Sequence, residues 1–157
     1  MDEFDEELVF DTYHSIGRKN EYIRFHIAQC VCGDIPKDTC EQLALNSCNV
    51  ACLALDVVRD RLSINMLNSL VTPRVIGQIS NLKDLLKEER HGKQLIPWAD
   101  ASRKHLPFIL RTLNGFVVSP TCFDANVGLT LGSSPCWVNV VFRLKGQKWM
   151  CHSIDFW

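Results

Sequence analysis

The sequence lacks the features that usually indicate membrane insertion, export or nucleotide binding. No apolar run approaches the roughly 18 residues that a membrane-spanning helix needs. The N-terminus has neither the basic nor the apolar segment of a secretory signal, so we expect a cytoplasmic protein. No glycine-rich phosphate loop occurs, and the basic residues are not interleaved with aromatic ones. We therefore expect no membrane span, no nucleotide cofactor and no nucleic-acid partner.

The first 17 residues also lack any lysine or arginine. They carry six acidic residues, and the rest of the chain holds 17 basic and 12 acidic residues, a net charge of +5. This separation predicts a flexible acidic tail over residues 1 to 20, followed by a single domain over residues 21 to 157. The alternative is that apolar residues of this stretch dock as a short segment; these are Leu8, Val9, Phe10, Tyr13 and Ile16.

Cysteine is plentiful, but the close pairs of a structural zinc site are absent. Five of the eight cysteines lie between positions 30 and 52, and none forms a Cys-x-x-Cys pair. Without an export signal, we expect reduced thiols that act mainly as small buried side chains. We predict no metal and no other cofactor. The alternative is a zinc-stabilised module that uses Cys30, Cys32, Cys48 and Cys52.

Helical periodicity dominates the first half of the chain. From Thr39 to Leu62, apolar residues recur every three or four positions, and Asp38 and Thr39 supply N-cap candidates at capping-box spacing. Residues 63 to 70 predict a short second helix. Thr72 and Pro73 predict the start of a third, since threonine can cap a helix and proline fits its first position.

Strand signals dominate the second half. Residues 108 to 113 predict a first strand, and Phe116 to Val118 either its partner beyond a turn or its continuation through a bulge. Residues 125 to 131 predict a further strand, and residues 136 to 157 a terminal hairpin. The period of residues 22 to 32 is ambiguous. Three helices followed by about four antiparallel strands predict an α+β domain with helices on one face of a curved sheet.

The terminal hairpin supplies the candidate binding residues. Apolar residues occupy the even positions from Cys136 to Leu144, so Trp137 and Arg143 are expected on the opposite face. A three-residue loop over positions 145 to 147 would place Trp149 beside Arg143. Large aromatic residues and arginine are typical of binding surfaces, so Trp137, Arg143 and Trp149 are the predicted binding residues.

Three blocks of the sequence resemble an uncharacterised actinobacterial family of small proteins of the NTF2-like, or cystatin-like, fold. The blocks are residues 57 to 67, residues 70 to 76 and residues 147 to 154, and a strand start at residues 110 to 113 lies between the second and the third. The family is often encoded near the SecA translocase ATPase, which implies a link to protein export. It has no assigned activity, so the resemblance implies a fold and transfers no catalytic residue.

The sequence therefore predicts a non-catalytic interaction or scaffold domain of unknown protein partner. A component of the export machinery is one candidate partner, and a homodimer formed through the open sheet face is another. The alternative is a small-pocket enzyme that uses His152 with Asp155 or Asp124, because enzymatic NTF2-like domains use an aspartate or a histidine as general base.

Overall fold

The computed structural model describes residues 8–15, 22–29, 34–88 and 106–157. These residues form six strands and two α-helices: β1 (Val9–Ser15), β2 (Tyr22–Gln29), α1 (Lys37–Val58), α2 (Pro73–Glu88), β3 (Phe108–Ser119), β4 (Cys122–Leu131), β5 (Ser134–Lys145) and β6 (Lys148–Phe156). A short 3₁₀ helix, Ile64–Leu67, links the α-helices. No described helix combines the length and apolar character that crossing a bilayer requires.

The six strands form one mixed sheet in the order β1-β2-β3-β4-β5-β6. β2 and β3 are parallel, and all other neighbours are antiparallel. The predicted fold class, three helices on a four-stranded antiparallel sheet of the NTF2-like type, is therefore wrong. Two of the strands come from the first 29 residues, where the sequence predicted a tail and an ambiguous segment. Val9–Ser15, a strand of the sheet, lies within the stretch that the sequence predicted as a tail, while residues 1–7 and 16–21 lie outside the described residues.

β2 forms a strand because apolar residues alternate with polar ones along it. Ile23, Phe25 and Ile27 point towards the helices and are buried. β1 covers the far edge of β2, where the ring of His14 stacks on that of Phe25 at a centroid distance of 4.7 Å. The β2–β3 pairing is parallel because the intervening chain crosses one face of the sheet as helices.

The helices begin close to the predicted residues, but with different caps. α1 begins at Lys37 after Pro36, with no side-chain cap hydrogen bond, so the predicted capping box does not form. α2 begins at Pro73 as predicted. The hydroxyl of Thr72 has no hydrogen-bond partner, so only its backbone carbonyl serves the helix start. The predicted second helix is the short 3₁₀ turn.

The core lies between the helices and one face of the sheet. α1 packs over β2 to β5, and α2 packs over β6. Small residues on the buried stripe of α1 bring the helix axis close to the strands; they include Ala44, Ser47, Ala51 and Ala54. At the outer edge of the sheet, the backbone N–H of Cys151 in β6 donates to the carbonyl of Leu70 at 2.9 Å. The carbonyl of Cys151 accepts from the N–H of Thr72 at 3.0 Å.

The terminal hairpin has a different register from the predicted one. A two-residue turn, Gly146 and Gln147, joins the strands, and Gly146 adopts a φ of +63° that favours glycine. Trp149 therefore lies opposite Leu144 and packs against the core, and Met150 lies opposite Arg143. The predicted pairing of Trp149 with Arg143 is wrong. A β-bulge at His152 then shifts the register, so Ile154 lies opposite Val140 and stays buried.

Candidate interaction surface

The face of the sheet turned away from the helices carries one row of polar side chains across all six strands. Successive register pairs join its members, which we call the polar row: Asp11, His26, Asn114, Asn126, Asn139 and Asp155. Their neighbours along the strands, such as Phe25, Leu113 and Val127, are buried against the helices. Because side chains alternate along a strand, the polar row lies on the opposite side. We call this side the open face, since no described helix covers it.

The first two members of the polar row form a hydrogen-bonded pair. His26 Nδ1 lies 2.6 Å from Asp11 Oδ1, and Arg24 Nε lies 3.8 Å from the same oxygen. The carboxylate of Asp11 is thus matched by two basic groups of β2. All three side chains are more than a third exposed, so this cluster contributes little to stability.

A second network occupies the centre of the open face. Asn139 Nδ2 donates to Asp124 Oδ1 at 2.6 Å and to Asn126 Oδ1 at 3.0 Å. Asp124 lies beside the polar row, in register with Phe116 on β3 and with Val141 on β5. The hydrogen bonds hold the three side chains in fixed orientations, so the centre of the face is preorganised.

Aromatic side chains surround the polar row. Phe116 is 41% exposed and Trp157 is 70% exposed, and Tyr13 and Tyr22 are exposed on β1 and β2. Trp137 lies against the backbone of Gly128, where an added Cβ would come within 2.9 Å of the indole ring. Glycine at position 128 therefore leaves room for the indole ring against the strand. Rings of this kind supply contact area with little loss of side-chain entropy.

The predicted binding residues are only partly brought together. Trp137 and Arg143 alternate with buried residues of β5, as predicted, and lie on the open face. They are six residues apart, which is about 20 Å along a strand. Trp149 lies on the helix side. The polar row was not predicted from the sequence. The outward positions of Asn126 and Asn139 in their strands were the sequence pattern that could have indicated it.

The residues of the alternative enzyme site are dispersed. Asp155 ends the polar row, and Asp124 belongs to the central network. His152 lies at the bulge, and its Nδ1 is buried without a hydrogen-bond partner. Burial lowers the pKa of His152, and the positive charges of Lys145, Arg143 and Arg74 lower it further. In the part of the chain that the structure describes, no hydrogen bond or ion pair joins His152 to either aspartate.

The thiols of α1 are poorly suited to metal or redox chemistry. Burial raises the pKa of Cys48 to about 12 and that of Cys52 to about 11, so both stay protonated at neutral pH. Cys30 and Cys32 lie outside the described residues. Among the residues that are described, no three His, Cys, Asp or Glu side chains are grouped to hold a metal ion.

A groove of about 390 Å³ lies between α2 and the end of β6. Leu82, Leu85 and Ile154 form part of its apolar lining, and Asp155 reaches it from the end of the polar row. The side-chain oxygen of Gln78, which also lines the groove, is buried without a hydrogen-bond partner. The groove is therefore a recess of mixed apolar and polar lining at the edge of the sheet.

Comparison with known proteins gives no independent support for a particular site. No protein-family model, curated protein or solved structure matches the chain. Membership of the actinobacterial family stays a prediction from the sequence.

Proposed function

We propose that the protein is a non-catalytic interaction domain that binds a protein partner across the open face of its sheet. The observation that carries the proposal is the polar row, which places six hydrogen-bonding side chains in register across every strand. A face that only needed solvation would not require Phe116, Trp137 and Trp157 beside these groups. Polar groups set among partly exposed rings are typical of protein-binding surfaces.

The charges of the open face favour a protein partner over a nucleic acid. The open face carries Asp11, Asp124 and Asp155 together with Arg24 and Arg143, so basic residues do not predominate on it. Phosphate backbones are bound by surfaces on which lysine and arginine predominate. A partner that carries both apolar and basic groups matches this mixture better than a polyanion does.

The predicted link to protein export and the predicted homodimer both concern the identity of this partner. A second copy of the chain and a component of the export machinery would each bury the same surface. A face six strands wide approaches the roughly 800 Å² that each partner contributes to a standard interface. The open face is therefore large enough for either.

Affinity capture with matched variants tests the proposal. The full chain, the variant Phe116→Arg on the open face and the variant Leu85→Arg on α2 are each used as bait in cells of the native host. Both positions carry an exposed apolar side chain, at 41% and 56%. We expect specific partners to be lost with Phe116→Arg and kept with Leu85→Arg. Partners that are retained by Phe116→Arg would contradict the proposal.

A further inference from the structure

The carboxylates of the open face differ in how their charge is balanced. Asp11 has His26 and Arg24 beside it. Asp124 and Asp155 form no ion pair within 4.0 Å with any described cation. Arg143 lies opposite Cys122, two residues from Asp124 along β4, and does not pair with Asp124. At the centre of the open face, Asp124 therefore carries a negative charge that no described basic side chain approaches within 4.0 Å.

Asp124 is also held more firmly than an ordinary surface carboxylate. It is half-buried, and the hydrogen bond from Asn139 Nδ2 fixes Oδ1 at 2.6 Å. A neutral amide orients the carboxylate but leaves its net charge in place. Phe116 and Val141 flank it in the register, so part of its surroundings is apolar. A charge in such surroundings interacts more strongly with an incoming cation than a fully hydrated charge does.

On this basis, and resting on the proposed function above, we infer that the centre of the open face receives an arginine side chain of the partner protein. The guanidinium group would pair with the carboxylate of Asp124 while its plane stacks on the exposed ring of Phe116. Arginine fits both contacts because its planar fork matches a carboxylate and also stacks on aromatic faces. Lysine offers a point charge and a more strongly held hydration shell.

Selection of peptides tests the inference without knowledge of the natural partner. A phage-displayed library of random peptides is panned on the immobilised full chain, and selected peptides are synthesised for titration. We expect arginine to be enriched several-fold over the unselected library. We also expect at least a tenfold loss of affinity when that arginine is replaced by citrulline, which keeps the shape and removes the charge.

Protein variants supply the matched control. Asp124→Asn removes the central charge, and Asp84→Asn removes one charge from the exposed side of α2, away from the open face. We expect about a tenfold loss of peptide affinity for the first and less than a twofold loss for the second. Peptides that are drawn only to the acidic residues near the N-terminus would bind Asp124→Asn as well as the parent protein, and that result would overturn the inference.

The remaining outcomes separate the inference from the proposed function. One outcome is that Phe116→Arg abolishes peptide binding, but citrulline or lysine replaces the peptide's arginine without loss of affinity. That outcome would overturn the inference and leave the proposed open-face interaction domain standing. A wild-type dimer in sedimentation that Phe116→Arg dissociates would make a second copy the occupant and would also overturn it. Peptides insensitive to every open-face variant would contradict the proposed function itself. The citrulline comparison uses only the parent protein, so it holds even if a variant folds poorly.

Discussion

The two faces of the sheet differ in the side chains that they carry and in the exposure of those side chains to solvent. On the helix side, side chains such as Phe123 and Val140 are excluded from water and fill a closed core. On the open face, the residues that alternate with these buried ones along the same strands are asparagine, aspartate and partly exposed aromatic residues. The strands provide both surfaces by simple alternation, so a shift of one position moves a substitution from the buried core to the open face.

The largest expected difference is between two phenylalanines of neighbouring strands. Phe123 is fully buried on β4, and Phe116 is exposed on β3. We expect Phe123→Ala to lower the free energy of unfolding by about 3 to 5 kcal/mol, because it leaves a cavity. Phe116→Ala is expected to change it by about 0.5 kcal/mol or less, as for a surface substitution. Chemical denaturation measures both, and a similar loss for the two variants would show that the open face is covered.

A smaller effect is expected from adding one methyl group at each of two glycines. At Gly128, the new Cβ would come within 3.0 Å of Trp137 and Thr112, so we expect Gly128→Ala to cost about 1 to 3 kcal/mol. At Gly77 in α2, nothing lies within 4 Å. Gly77→Ala should therefore stabilise the protein by about 0.5 to 1 kcal/mol, since alanine favours the helix.

Trp137→Ala then provides the control for the contact at Gly128. If the indole ring is what the new methyl group meets, the cost of Gly128→Ala should shrink in the Trp137→Ala background. Thermal or chemical unfolding of the two single variants and the double variant gives this coupling. An unchanged cost would mean that the strain at Gly128 arises from the backbone.

Asparagines of the polar row should also differ from one another. Asn139 donates to Asp124 and Asn126, whereas the side chain of Asn114 makes no hydrogen bond with any described residue. We expect Asn139→Ala to lower the free energy of unfolding by about 1 kcal/mol, because a hydrogen bond to a charged group is lost. Asn114→Ala should be close to neutral. Equal effects, measured by denaturant titration, would argue against a preorganised centre.

The sequence predicted the individual elements better than their arrangement. The start of α2 at Pro73 and the outward direction of Trp137 were readable, because a proline at the first turn and a period of two are local signals. β2 carries the same alternation in Ile23, Phe25 and Ile27, yet its partner β3 lies about 80 residues further along the chain. A parallel pairing at that separation leaves no local pattern, so the sheet was predicted two strands too small.

The candidate site was even less accessible from the sequence, because it depends on register. Asn114, next to Gly115, has the pattern of a turn but lies inside a continuous strand. Gly115 is needed there since its missing side chain makes room for the ring of Phe123, only 2.7 Å from where a Cβ would lie. Five pairings must be known before the polar row appears. The bulge at His152 likewise shifts β6 without any signal in composition.

That bulge leads to the smallest predicted effect, a dependence of stability on pH. The pKa of His152 is lowered in the folded protein, by burial first and then by Lys145, Arg143 and Arg74. An unfolded histidine titrates near pH 6.5, so below about pH 7 the unfolded chain binds more protons at this residue than the folded protein does. Stability contributed by neutral His152 is thus present above pH 6.5 and is lost as the pH falls through its folded pKa.

The variants His152→Gln and Lys145→Gln separate this contribution from that of the other histidines. Denaturant unfolding between pH 7.5 and 5 should show a shallower loss of stability for His152→Gln than for the parent protein, since glutamine takes up no proton. Lys145→Gln should give an intermediate slope, because it removes one of the charges that disfavour protonation. Parallel curves for all three proteins would show that His152 is hydrated at the bulge and titrates as an ordinary surface histidine. In that case the bulge at His152 would make no contribution of its own to the pH dependence of stability.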